Sequence, residues 1–198
     1  MNKKFITSDW KFTGVVYDQK KAMHRCDLCK GKNLRYQYEI VSSLGEVKRV
    51  GSSCILKFQV KFSFPNSDFL ITEQDKRKYL HRIAKRLTDR ENFKLATQSL
   101  EKLIQADDKI EDDFPLKQYR KKQKLGPKFL NFLFWRFKAN NIQIERNWFN
   151  LDLSTKKRKE EFYDLLDFQA LGLAKCNGFQ SSVMEEYIKH NKAKQENA

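Results

Sequence analysis

Cysteine is scarce in this chain, four in 198 residues, which is too few to frame a disulfide scaffold of this size. Histidine is scarcer, and only His24, His81 and His190 are available as imidazole bases. The signatures GxxxxGKS/T, GxGxxG, HExxH and GxSxG are all missing, which argues against the common nucleotide-binding, zinc-protease and serine-hydrolase chemistries. No apolar run reaches the roughly 18 residues of a membrane span, and the stretch from Met1 to Asp9 turns polar too soon for the apolar part of a signal peptide. No Gly/Ser-rich linker marks a domain boundary, and no strong internal repeat is visible. These absences lead us to expect a cytoplasmic protein that is neither an enzyme nor a membrane protein.

Acid is the other shortage. Forty Lys and Arg face 25 Asp and Glu, a formal net charge of +15. The imbalance is uneven: residues 1–66 carry 13 basic and 5 acidic side chains, 67–116 carry 10 and 11, and 117–198 carry 17 and 9. Both ends are therefore basic around a balanced middle. Such a field favours polyanions, meaning nucleic acid, an acidic membrane surface or an acidic protein. A lysine-rich surface also simply keeps a protein in solution, so charge alone does not choose.

What the chain does contain is a cluster. His24-Arg25-Cys26-Asp27-Leu28-Cys29-Lys30-Gly31 is answered by Val50-Gly51-Ser52-Ser53-Cys54-Ile55. Two thiolates two residues apart can hold one ion from a single turn, and a third returns after a hairpin. The hairpin is legible: Leu34, Tyr36, Tyr38 and Ile40 alternate with Arg35, Gln37 and Glu39, Ser42-Ser43-Leu44-Gly45 supplies a turn, and Glu46–Val50 returns. A closed zinc site needs a fourth ligand. His24, two residues before Cys26, is preferred to the distant Cys176, because a local ligand closes the site without a long-range constraint, and Asp27 ranks below both. The bland alternative is that these cysteines are small buried hydrophobes; the spacing and the adjacent glycines favour zinc.

Around this cluster, residues 5–17 are aromatic and β-branched and read as a strand. Phe64–Asp68 reads as a break. Thr72-Glu73-Gln74-Asp75 reads as a helix start, with one helix to about 89 and a second over about 90–105. In the first, Tyr79, Leu80, Ile83 and Leu87 fall on one face and Lys78, Arg82 and Lys85 on the other, with His81 at the border. The run Asp107–Asp113 reads as a solvated acidic loop. Lys117–Lys128 is the densest basic stretch and contains no acid. Gly126-Pro127 opens a helix of mostly core aromatics that ends at Asn140-Asn141. An extended connection spans 142–153, Ser154-Thr155 caps a helix starting at Lys156, and a last helix covers about 180–192 ahead of a fraying end. The expected class is α+β: an N-terminal zinc-ribbon β-hairpin module over 1–66, a helical hairpin over 67–116, and a basic, aromatic-rich helical region over 117–198.

The string His24-x-Cys26-x-x-Cys29, then Leu34–Ile40, then Val50-Gly51-Ser52-Ser53-Cys54-Ile55 resembles small zinc-ribbon modules in largely uncharacterised proteins of bacteria, phages and mobile elements. The resemblance covers 24–58 and implies metal ligation by Cys26, Cys29 and Cys54, with no reaction attached. Such modules commonly have glycine directly after the second cysteine. Here Lys30-Gly31 stands there, implying a knuckle one residue longer.

The leading expectation is a nucleic-acid binder, DNA or RNA, built on a structural zinc ion. Arg35, Lys48 and Arg49 on the hairpin, Lys78, Arg82 and Lys85, then Arg120, Lys121, Lys122 and Lys124, and finally Lys156, Lys157 and Arg158 are its candidate contacts. Tyr36 and Tyr38 suit stacking by type but alternate as core residues do. The alternative is an adaptor or inhibitor docking on an acidic protein or nucleoprotein complex, such as a polymerase or host defence complex, steered by the same charge.

Overall fold

The structure, a computed structural model, describes residues 9–20, 24–58, 60–62, 72–110 and 113–196. The expected break at Phe64–Asp68, the first residues of the expected N-terminal strand, and Glu111 and Asp112 of the acidic run lie outside them. The class is α+β, as expected: a four-stranded sheet near the N-terminus, then a mainly helical region. No helix among the described residues is long and apolar enough to cross a membrane. The chain divides into two compact units, Met1–Thr88 and Asp89–Ala198.

In the first unit the sheet runs β3-β2-β1-β4, with β1 Trp10–Asp18, β2 Tyr36–Ser42, β3 Val47–Val50 and β4 Lys61–Phe62. The period-two stretch forms β2, which pairs antiparallel with β1 (Phe12 opposite Ile40, Val16 opposite Tyr38) and with β3 (Tyr38 opposite Val50, Val41 opposite Val47). The β1 register slips between Phe12 and Val16, where Gly14 takes φ +89°, a bulge conformation open to glycine at little cost. Because β2 alternates, Tyr38 and Ile40 enter the core with Trp10, Phe12, Val50, Ile55, Val60 and Leu80. Each such aliphatic burial is worth about 1.5–3 kcal/mol. Helix α1, Ser52–Lys57, carries Cys54 and Ile55 on its buried side.

Helix α2, Glu73–Ala106, is one continuous helix of 34 residues where two were expected. Its start is as read: Thr72 Oγ1 accepts from the Asp75 amide at 3.2 Å, and Asp75 Oδ2 accepts from the Thr72 amide at 3.3 Å. The expected break at 89–90 does not occur: no Gly or Pro intervenes, and Thr88 is accommodated within the helix, its hydroxyl donating to the Ala84 carbonyl at 3.2 Å. The unit boundary thus falls within α2.

The second unit contains α3 Phe114–Lys122, α4 Pro127–Ala139, α5 Lys156–Tyr163, α6 Asp167–Leu173 and α7 Ser181–Glu196. Gly126-Pro127 opens α4 and Asn140 ends it, and Thr155 caps α5 by accepting from the Arg158 amide at 3.2 Å, all as the sequence indicates. The terminal helix extends to Glu196, beyond its expected end at 192. Phe149, in the extended connection, is the hub of the core, with ring centroids of Tyr119, Phe134 and Phe137 at 5.8, 5.5 and 5.7 Å. The acidic run is not wholly solvated: Asp107 is buried, ion-paired with Arg136 and bonded by Asn140 Nδ2 at 2.8 Å. The guanidinium of Arg136 beside it holds the Asp107 carboxyl below its ordinary range.

Candidate metal centre and basic surfaces

The sulfurs of Cys26, Cys29 and Cys54 lie within 4.8 Å of one another, so the three cysteines singled out from sequence form one group able to hold a metal ion. Local backbone explains how. Leu34 N donates to the His24 carbonyl at 3.0 Å and closes the neck of a loop. Inside it, Cys26 N bonds the Gly31 carbonyl and Lys30 N bonds the Cys26 carbonyl, each at 2.9 Å, while Lys30 turns to φ 58°. The Gly31 amide then points at the Cys29 sulfur, 3.4 Å away, and a Cβ on Gly31 would meet that sulfur at 3.2 Å. Asp27 ties the loop to β3: its amide donates to the Arg49 carbonyl at 3.0 Å, and its carboxylate accepts from the Arg49 amide at 2.6 Å. From the other side, Gly51 starts α1 and turns Cys54 inward, to 3.5 Å between its sulfur and that of Cys26.

The sulfurs differ in environment. Cys26 and Cys54 are buried, and Cys29 is exposed. The Gly31 amide beside Cys29 lowers its thiol pKa, whereas burial pushes that of Cys54 up. As neutral thiols these groups can sit together, whereas as thiolates they would repel one another unless a bound cation stabilised them.

The two candidates for a fourth ligand are not brought into this group. His24 is exposed and held by its backbone at the loop neck, and its imidazole is not within 4.8 Å of all three sulfurs. Cys176 belongs to the core of the second unit, where burial pushes its thiol up to about 12.

The expected cationic contacts fall into two classes. Arg35 grips Asp18 with Nε and Nη2, each at 3.1 Å, and Lys48 pairs with Glu46 at 2.6 Å. Arg120 pairs with Glu101 at 2.6 Å, Lys124 with Asp152 at 3.0 Å, Lys156 with Glu160 at 3.9 Å and Arg158 with Glu161 at 2.6 Å. These six are partly neutralised. Arg49 stacks on the Tyr17 ring, 4.2 Å from its centroid, and stays exposed. Lys78, Arg82, Lys85, Lys121, Lys122 and Lys157 are exposed and make no ion pair among the described residues. The hairpin tyrosines are not open for stacking on ligands: Tyr38 is buried, and half-buried Tyr36 meets the Thr88 hydroxyl.

Two apolar features escaped the sequence reading. Of the five aromatics of α4 only Phe134 and Phe137 are buried core, fewer than expected; Phe129 is partly buried, and Phe132 and Trp135 are exposed and continue a row from it, with centroids 6.4 and 6.2 Å apart. Leu166, Phe168 and Leu171 are also exposed at the start and along α6. Spacing of three along a helix was a possible signal for the first, but it also fits burial. No family model, curated protein or solved structure matches the chain.

Proposed function

We propose that the protein binds nucleic acid through basic surfaces, and that a structural zinc ion on Cys26, Cys29 and Cys54 keeps the N-terminal module rigid. The donor set supports zinc: tetrahedral zinc with thiolates at about 2.3 Å separates their sulfurs by about 3.8 Å, and Cys26 and Cys54 stand 3.5 Å apart. His24, exposed two residues from Cys26 but outside the sulfur group, is our candidate for the fourth ligand; its imidazole would have to swing toward the sulfurs to close the site as in the zinc ribbons that the sequence resembles. A bound zinc would neutralise thiolate charge and fix loop to helix. No reaction is assigned.

The observation that carries the nucleic-acid reading is the trio Lys78, Arg82 and Lys85. They are exposed at i, i+4 and i+7 on α2 and make no ion pair among the described residues, although the Asp75 carboxyl pKa is lowered by the Thr72 hydroxyl and, to a lesser degree, by nearby Lys78. They span about 10.5 Å of helix axis, the rise of about three phosphates along one strand. Free cations exchange counterions with phosphates, whereas paired ones such as Arg120 must first give up an acid. Binding to single- and double-stranded DNA and RNA should therefore fall linearly in log K against log salt, and replacing all three residues by alanine should flatten that slope by about two to three units. Absence of binding to every one of these nucleic acids at low salt would overturn the reading.

The exposed Leu166, Phe168 and Leu171 favour a second reading, an adaptor or inhibitor docking on an acidic protein or nucleoprotein complex. Association that survives nuclease treatment and is lost in Phe168→Asp supports it. Association lost with nuclease returns the case to nucleic acid.

A further inference from the structure

A cleft opens in the second unit where the chain leaves α4. Its walls are Phe134, Phe137 and Lys138 on α4, residues 141–144 and Arg146, none of them acidic; the adjoining Glu145 is exposed and is not in the lining. The backbone there is fixed: Asn141 turns at φ 54°, Ile142 N bonds the Phe137 carbonyl at 2.9 Å, and Phe149 N bonds the Arg146 carbonyl at 3.1 Å. The segment therefore holds the backbone at Asn141 and Gln143, two exposed amide residues of the lining.

Arg146 is the unusual member. It is half-buried, its guanidinium carbon lies 5.0 Å from the Phe134 ring centroid, and a Cβ on Gly172 would come within 1.6 Å of its Nη1. A missing side chain on α6 thus makes room for this guanidinium. Yet the group forms no ion pair and no side-chain hydrogen bond among the described residues. Arg136 is buried against Asp107, and Arg158, which packs on Gly126 as Arg146 packs on Gly172, is answered by Glu161 at 2.6 Å. The thiol near Arg146, Cys176, is held neutral by burial and supplies no counter-charge. Lys138, also in the lining, is exposed and makes no ion pair among the described residues. Drawing a cation partly out of water without an anion beside it is unfavourable, and its guanidinium N–H donors that still face solvent are free to take a ligand.

We infer that this cleft is an anion site for a phosphate group, with Arg146 donating in a fork, Lys138 closing from the mouth, and the Asn141 and Gln143 amides within the same lining. The phosphate is a monoester on a small nucleotide or a diester of a nucleic-acid strand. The inference does not depend on Lys78, Arg82 and Lys85 contacting nucleic acid.

The test titrates the full-length protein with inorganic phosphate, a nucleoside monophosphate and a short single-stranded oligonucleotide, followed by calorimetry and by NMR shifts of the 138–146 amides. Arg146→Gln should weaken phosphate-ligand binding about tenfold or more, and Lys138→Gln by a smaller factor. Arg146 packs against α6, so Lys138→Gln, at an exposed position, keeps the test valid if Arg146→Gln does not fold. The Lys78/Arg82/Lys85 alanine variant should retain these shifts, which separates failure of the cleft from failure of the proposed function. Response to the monophosphate as strong as to the oligonucleotide identifies a small nucleotide ligand, and a response to the oligonucleotide alone identifies a strand. No shift with any of the three, or equal affinities in wild type and both variants, overturns the inference.

Discussion

Ten buried core residues are described in the first unit, two of them the cysteines Cys26 and Cys54, whereas nineteen are described in the second, gathered around Phe149. A sheet with so small an apolar core gains little from burial alone and relies on other constraints, while a helical unit with an aromatic hub holds itself by packing. Charge is used differently as well. The first unit keeps its Asp18–Arg35 pair half in solvent, whereas the second buries Asp107 against Arg136. The lesson is that one chain has arrived at two routes to order, and that they should fail independently.

The largest expected effect is on the first route. Cys54→Ser, or a strong zinc chelator acting on the wild type, should remove amide-exchange protection from 24–58 while leaving that of 127–187 in place; structural zinc typically contributes about 10 kcal/mol or more. Loss of protection across both units at once would break the comparison. Next comes the second route: Phe149→Ala leaves a cavity among Tyr119, Phe134 and Phe137 and should cost about 3–5 kcal/mol in chemical denaturation, without changing metal content. The smallest effect is in acid. Asp107 has its carboxyl pKa lowered by Arg136, so the stability it contributes is complete above the unfolded value of about 3.9 and disappears as pH falls through the lower folded value. Asp107→Asn should flatten the acid limb of unfolding below about pH 4 in the second unit, read by exchange at 107–140. An unchanged acid limb would show that the pair is not the responsible group.

Much of this was legible because it is local. The period of two in Tyr36–Ile40, the turn at Ser42–Gly45, the cap at Thr72–Asp75 and the Gly126-Pro127 start each involve residues within a few positions of one another, and each appears where expected. The three-cysteine group was legible for a different reason, since few other uses explain that spacing. What could not be read is set by distant partners. Asp107 is buried because Arg136, 29 residues away, meets it. Pairing with Asp18, Glu101 and Asp152 neutralises Arg35, Arg120 and Lys124, none of which a charge count detects. Arg146 carries no sequence signal, because what marks it is the space left by Gly172.

The central claim is that Cys26, Cys29 and Cys54 are a metal staple rather than buried thiols. Elemental analysis of the purified full-length protein tests it most directly. About one zinc per chain is expected, falling toward zero in Cys26→Ser and reduced in His24→Ala if the histidine completes the site. Protein prepared without chelators that contains no stoichiometric metal, with Cys26→Ser as stable as the wild type, would contradict it.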